Sequence, residues 1–330
     1  MLQLGRTFVP FRSEPVTHKK PSGENAPMSD ILRTPDARFL DLPGWHYPPH
    51  YVDDLPGYEG IRVAYVDEPA AVADAGAEAP TFLCLHGQPS WSYLYRRMIP
   101  YLAARGRVVA PDLIGFGRSD KLADDKAYGF LFHRGMLVEL VKRLDLKHVI
   151  LVVQDWGGLL GLTLPPEMPD RFRGLLVMNT ALGTGDRPLG KGFEAWRDFV
   201  ANSPDFSIPK LFARGCPHLT PEEAAAYDAP FPDDSYRAGA RVFPALVPAH
   251  PDAEGAALSR DARDWWSTAW TGRSSMVIGM ADPVLGEAPM MSLAKLIRGC
   301  PEPIKVADGG HFVQEWADAF MPHALDPLFA

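Results

Sequence analysis

His148-Val149-Ile150-Leu151-Val152-Val153-Gln154-Asp155-Trp156-Gly157-Gly158-Leu159-Leu160-Gly161-Leu162 decides how the rest of the chain is read. Residues 148–153 form a short apolar run rich in β-branched side chains, as a strand buried on both faces requires. From Asp155 onward the pattern turns into a helix opening, with two glycines that allow a sharp bend and close packing. The same layout recurs along the chain. Thr81-Phe82-Leu83-Cys84-Leu85 runs into His86-Gly87, and Arg107-Val108-Val109-Ala110 into Pro111-Asp112. Residues 174–178, 275–279 and 303–307 supply further strands, and the alternation of residues 61–66 predicts a half-buried antiparallel one. Strands alternating with helical segments in this way predict an α/β fold, a mostly parallel sheet with helices on both faces.

Between about residues 182 and 259 the pattern becomes helical with no convincing strand. Thr220-Pro221-Glu222-Glu223 is a capping box with proline at the first helical position, so a helix starts there. Residues 192–202 and 235–246 carry apolar and aromatic side chains at helical spacing. The division expected is a helical cap at 183–259 set into a main domain of residues 28–182 and 260–330. Residues 1–27 read as a flexible tail, and Met28 as a possible start of translation. The alanine-rich residues 70–79 read as an exposed turn.

Composition narrows the function. The 330 residues hold 33 Lys+Arg against 41 Asp+Glu, a formal charge of −8, with no block of like charges, which argues against nucleic acid as partner. At 46% hydrophobic and 22% charged residues the chain can bury a sizeable core. Its three cysteines, Cys84, Cys216 and Cys300, are far apart and lack zinc-type spacing, so neither disulfides nor a metal is expected and the cytoplasm is the default location. No apolar run reaches the length of a membrane span, and the charged N-terminal residues do not read as a secretory signal.

The chemistry lies at strand ends. A strand-to-helix elbow presents one side chain at the carboxyl end of the sheet, and in serine hydrolases that side chain is Ser. Here it is Asp155. A serine displacing a leaving group from saturated carbon would be left as an ether that water cannot readily cleave, whereas a carboxylate forms an ester open to attack at its carbonyl. Asp155 on its own also suits a plain helix cap. Asp282, in Gly279-Met280-Ala281-Asp282-Pro283, and His311, in Asp308-Gly309-Gly310-His311-Phe312, also on their own suit a turn and a cap. Three such residues at three strand ends, in the order nucleophile, acid, His, follow the α/β-hydrolase triad. The loop Leu85-His86-Gly87-Gln88-Pro89 then offers the backbone N–H of Gln88, with that of Trp156, as an oxyanion hole, and His86 reads as structural.

Four strings together resemble the haloalkane dehalogenases, subfamily I: residues 83–95 (Leu83-Cys84-Leu85-His86-Gly87-Gln88-Pro89-Ser90-Trp91-Ser92-Tyr93-Leu94-Tyr95), 111–120 (Pro111-Asp112-Leu113-Ile114-Gly115-Phe116-Gly117-Arg118-Ser119-Asp120), 153–158 and 310–315 (Gly310-His311-Phe312-Val313-Gln314-Glu315). The resemblance runs from about Arg33 to Trp316. It implies the α/β-hydrolase fold, with an eight-stranded sheet and a helical cap after the sixth strand. It also implies a cofactor-free monomer that converts a small apolar haloalkane and water to an alcohol, halide and a proton. In that family two indole N–H groups hold the departing halide; Trp156 matches the first and Trp196 of the first cap helix the second. Phe193, Phe199 and Phe206, with Phe231, are candidates to line the cavity, while Trp265, Trp266 and Trp270 read as core. An epoxide hydrolase shares the triad but needs acidic cap tyrosines, for which Tyr227 and Tyr236 are candidates. A fluoroacetate-type dehalogenase wants Arg where Trp156 stands. A catalytically silent member of the fold would be free to lose one of Asp155, Asp282 and His311.

Overall fold

The computed structural model describes residues 30–71, 79–203 and 206–330. The expected tail, the reading of Met28 and most of the alanine-rich turn lie outside the described residues. The main sheet has eight strands: β1 Pro49–Val52, β2 Val63–Glu68, β3 Thr81–Leu85, β4 Arg107–Pro111, β5 Val149–Gln154, β6 Phe172–Met178, β7 Arg273–Gly279 and β8 Ile304–Val306. Their order across the sheet is β8-β7-β6-β5-β3-β4-β2-β1. Neighbours from β8 to β4 are parallel, while β2 runs antiparallel to both β4 and β1. Ile31–Leu32 and Lys121–Leu122 pair separately as a two-stranded ribbon.

Two cores follow from the two-residue period of the strands. Leu83, Leu85, Leu151, Val153, Leu175 and Val177 point into one, and Phe82, Cys84, Ile150, Val152, Leu176 and Met178 into the other. The first is closed by α2 (Phe130–Arg143), α3 (Trp156–Gly161) and, later in the chain, α9 (Glu287–Leu296). The second is closed by α1 (Ile99–Ala103), α10 (Ala317–Ala324) and α11 (Asp326–Phe329). Each buried aliphatic or aromatic side chain contributes about 1.5–3 kcal/mol. A one-residue slip would exchange the two sets of side chains, so both faces fix the register.

Residues 61–66, expected to be half buried, differ: β2 starts at Val63, and its first four residues are buried because both faces are covered, Val63 and Tyr65 lying in the first core and Val66 in the second. Between β6 and β7 the described residues form five α-helices, one 3-10 helix (Asp234–Arg237) and no strand: α4 Lys191–Asn202, α5 Ile208–Gly215, α6 Pro221–Ala226, α7 Ala238–Leu246 and α8 Ala256–Thr268. The capping box forms, with Glu223 N–H donating to Thr220 Oγ1 at 3.2 Å and Thr220 N–H to Glu223 Oε2 at 3.0 Å. α8 runs through the boundary expected at 259/260. Its Trp266 indole donates to the Leu162 carbonyl at 2.8 Å, which ties the helix to the main domain. No helix among the described residues is long and apolar enough to cross a membrane.

Candidate active site

β5 ends at Gln154, and the chain turns at Asp155 itself, with φ 50° and ψ −127°. The glycines were expected to take up this bend. Instead Gly157 and Gly158 have negative φ and serve close packing, since a Cβ on Gly158 would overlap Thr180. A non-glycine residue in this region stores about 1–3 kcal/mol, and it persists only where neighbours over-determine it. Here Asp155 N–H donates to Asn179 O at 3.0 Å, and Thr180 Oγ1 donates to Asp155 O at 2.7 Å. The two residues that follow β6 thus clamp the turn.

The Asp155 carboxylate is not spent on the helix. It sits at the N-cap position of α3 but makes no capping hydrogen bond. Its Oδ1 accepts from the backbone N–H of Gln88 at 2.8 Å, and its Oδ2 lies 3.5 Å from His311 Nε2. Gly87 makes this possible, because any Cβ there would occupy the carboxylate's place. His86 stiffens the same loop from behind, its Nδ1 2.9 Å from Gly87 O while its Nε2 accepts from Leu113 N–H at 3.0 Å.

On its other side His311 presents Nδ1 to Asp282 Oδ2 at 2.8 Å. Asp282 follows β7, and its side chain is wholly buried. Its Oδ1 accepts from Val284 N–H at 2.8 Å and Leu285 N–H at 3.0 Å, and its Oδ2 also accepts from Asn179 Nδ2 at 3.0 Å. Burial alone would raise the Asp282 pKa. The His311 charge, its hydrogen bond and the two backbone donors outweigh burial and hold the carboxyl at about 2. Burial likewise pulls His311 down. The Asp282 charge, hydrogen bonds to both aspartates and the Asp155 charge overcome that and push it up to about 10.

The other expected residues fall into two groups. Trp156 is buried, with Phe130 and Phe243 as ring neighbours. Trp91, Trp266 and Trp270 donate their indole N–H groups to Ala226 O, Leu162 O and Ser274 Oγ, whereas that of Trp156 has no protein acceptor among the described residues. Trp196 lies on α4 in a separate aromatic set, 5.9 Å from Phe199 and 5.6 Å from Phe206 by ring centroids. Phe206 is buried, Phe193 is partly buried, and Phe199 is 51% exposed, so much of its surface meets solvent rather than a cavity wall. Phe231 is buried, 6.4 Å from Phe116. Tyr227 is not free to act as an acid: its hydroxyl donates to Glu315, its ring stacks on Phe212, and burial and the Glu315 charge raise its pKa well above the ordinary value.

Residues 80–207 match the alpha/beta hydrolase fold family. A haloalkane dehalogenase of Psychrobacter cryohalolentis is 44% identical over 292 residues, which cover 86% of this chain and 93% of that one. The chain belongs to the haloalkane dehalogenase family. A second haloalkane dehalogenase, from Mycobacterium marinum, is 41% identical over 87% of this chain and 95% of its own length. The tetrameric haloalkane dehalogenase DpaA of Paraglaciecola agarilytica superposes with a TM-score of 0.85 at 48% identity, covering 90% of this chain and 98% of that one.

Three residues around Asp155, Asp282 and His311 escaped the sequence reading: Asn179, Thr180 and Gln154. Asn179 and Thr180 directly follow the apolar run of β6, and the rule that sites form at the carboxyl ends of parallel strands points to them. Gln154 Nε2 lies 3.0 Å from both His311 Nε2 and His311 O, while its Oε1 is buried without a partner. Its position directly before Asp155 is the only sequence signal for that contact.

Proposed function

We propose that this protein hydrolyses the carbon–halogen bond of small apolar haloalkanes through an alkyl ester of Asp155. Asp155 attacks the carbon bearing the halogen in line with the leaving halide; a C–O bond forms, the C–X bond breaks, and the halide leaves with the electron pair. Trp156 and Trp196 donate their indole N–H groups to it, since a large, weakly basic anion is well met by donors on apolar rings that exclude water.

Water then adds to the ester carbonyl carbon and gives a proton to His311 Nε2. The charge that develops on the carbonyl oxygen is held by the backbone N–H groups of Gln88 and Trp156. Collapse of this intermediate expels the alcohol oxygen, which takes a proton from His311, and the acid proton of Asp155 leaves by the same imidazole. Asp282 fixes the Nδ1–H tautomer and favours the imidazolium. No cofactor or metal takes part in this scheme. In the same reading residues 183–255, up to the start of α8, cap the main domain, Phe193 and Phe206 line the approach with Phe199 at its solvent edge, and the protein acts in the cytoplasm as a monomer. Light scattering tests the last point against the tetramer known for DpaA.

The observation that carries this reading is the Asp155 carboxylate, free of capping duty and lying between a backbone donor and an imidazole whose far side rests on a buried aspartate. With 1,2-dibromoethane, the His311→Phe variant is expected to accumulate one bromoethyl ester per chain by intact-protein mass spectrometry. Repeated turnover of the unmodified protein in ¹⁸O-water should place label in the Asp155 side chain. An unshifted mass and an unlabelled aspartate would remove the proposal. Styrene-oxide hydrolysis without halide release would shift the assignment to an epoxide hydrolase.

A further inference from the structure

Gln88 carries two roles on one residue, and a proline in α7 supplies the second. Pro244 lies inside α7. A proline has no backbone N–H, so the carbonyl four residues earlier, that of Ala240, has no α-helical donor. Leaving such a buried acceptor unmet costs about 1–3 kcal/mol. The missing donor comes from across the chain: Gln88 Nε2 donates to Ala240 O at 2.7 Å, in the buried interior. The backbone N–H of the same Gln88 donates to Asp155 Oδ1 at 2.8 Å. Beside the proline, Phe243 is buried against the ring of Trp156, with centroids 4.7 Å apart. Its other ring neighbours are Phe116 at 4.7 Å and His133 at 4.6 Å, both in the main domain. α7 therefore touches both Gln88 and Trp156, the two residues whose backbone amides the mechanism above assigns to the oxyanion hole.

We infer that Gln88 is a positioning residue through its side chain: the carbonyl freed by Pro244 ties Gln88, and with it the oxyanion-hole amide, to helix α7. The inference rests on the ester mechanism above and adds a link between α7 and the second chemical step. The Gln88 N–H must lie within hydrogen-bond reach of Asp155 Oδ1 as that atom takes up charge, and small misplacements of such a donor are costly. Alkylation asks less of the amide, because charge then leaves the carboxylate instead of building on it.

Gln88→Met keeps the backbone N–H and the length of the side chain but removes the donor to Ala240. Single turnovers of 1,2-dibromoethane, with the bromide burst reporting alkylation and quenched-flow mass spectrometry reporting ester decay, separate the two steps. Ester hydrolysis is expected to slow about tenfold, against the roughly 10²–10³ of a donor lost outright, while alkylation changes less than about twofold. Pro244→Ala gives Ala240 a helical donor that competes with Gln88, so it slows hydrolysis in the same direction. In the double variant the two effects combine to less than their product. Unchanged hydrolysis in Gln88→Met, equal slowing of both steps with a lowered Tm, or strictly multiplicative effects would each overturn the inference. Where Gln88→Met does not fold, Pro244→Ala decides alone: unchanged ester decay in that variant overturns it. Absence of any ester in the unmodified protein is the failure of the ester mechanism itself and is read separately.

Discussion

Replacing Asp155 by Asn takes one of two negative charges away from His311, and alkylation of Asp155 does the same once in every proposed turnover. The imidazole stands at about 10 instead of 6.5, a rise worth about 5 kcal/mol at 1.36 kcal/mol per pH unit. Asp282 at 2.8 Å and Asp155 at 3.5 Å share that rise against the opposing effect of burial. An opposite charge at this range moves a pKa by about 1–3 pH units. With the nearer Asp282 keeping the larger share, Asp155→Asn should lower His311 by about 1–2 pH units, visible in the ¹⁵N shifts of its ring. The resting protein therefore holds imidazolium at neutral pH, which leaves the carboxylate free to attack. Loss of the Asp155 charge on alkylation then lowers His311 by that amount and raises its neutral, basic fraction, most strongly above about pH 8. At pH 9 this releases about 0.4–0.8 proton per site in step with ester formation, ahead of hydrolysis, and a pH-indicator dye follows it in stopped flow. A proton burst that tracks hydrolysis, or a His311 titration unchanged in Asp155→Asn, would refute this account of how the base is primed.

Asp282→Asn turns an acceptor into a donor facing both Asn179 Nδ2 and the His311 ring, so ester hydrolysis should fall by about 10³–10⁴ in single-turnover decay while alkylation persists. The same carboxyl gives a stability signature. Its pKa is depressed from 3.8 to about 2, so its contribution is full above about pH 4 and is lost as pH falls through 2. That contribution, about 2.5 kcal/mol, should appear in urea unfolding across the window and be absent from the variant. Trp156→Phe should slow the bromide burst about 10²-fold or more with little effect on Tm, and Trp196→Phe should weaken bromide binding. Trp266→Phe should leave the burst alone but cost about 1–3 kcal/mol, because the buried Leu162 carbonyl loses its donor. Glu315 accepts from Arg96 at 2.9 Å and from Arg97 at 3.0 Å, and Tyr227 of the helical insertion joins it. Glu315→Gln leaves the buried Arg96 with Glu223, at 3.2 Å, as its remaining carboxylate partner, and should lower the unfolding free energy by less than the about 3–5 kcal/mol of a buried pair broken outright.

The elements that carry the site were legible because their signals are local. The apolar runs of β3 and β5, the capping box at Thr220 and the order Asp155, Asp282, His311 can all be read without knowing what touches what. β1 was not, since Pro49–Val52 is a short edge strand with two exposed residues and no alternation strong enough to stand out. The positive φ of Asp155 was also hidden. The adjacent glycines drew the bend to themselves, although a residue clamped by Asn179 and Thr180 can hold it. The Gln88–Ala240 tie and the Arg96–Glu315–Tyr227 cluster join residues 88 to 219 positions apart, and no periodicity reports such pairs.

Two aspartates flank one histidine, and their surroundings give them different work. Asp282 accepts four hydrogen bonds, from Val284, Leu285, Asn179 and His311, and its side chain has no exposed surface. With its acceptor sites filled and no open approach, it can hold charge but cannot reach a substrate. Asp155 accepts one short bond, from Gln88, faces His311 at 3.5 Å and keeps 15% of its side chain open. A carboxylate with an unfilled lone pair and an accessible face is the better nucleophile, because less must be broken before it attacks. Exchanging the two roles would require stripping Asp282 of its backbone donors, so the division of labour is set by donor count and access, with residue type identical at both positions.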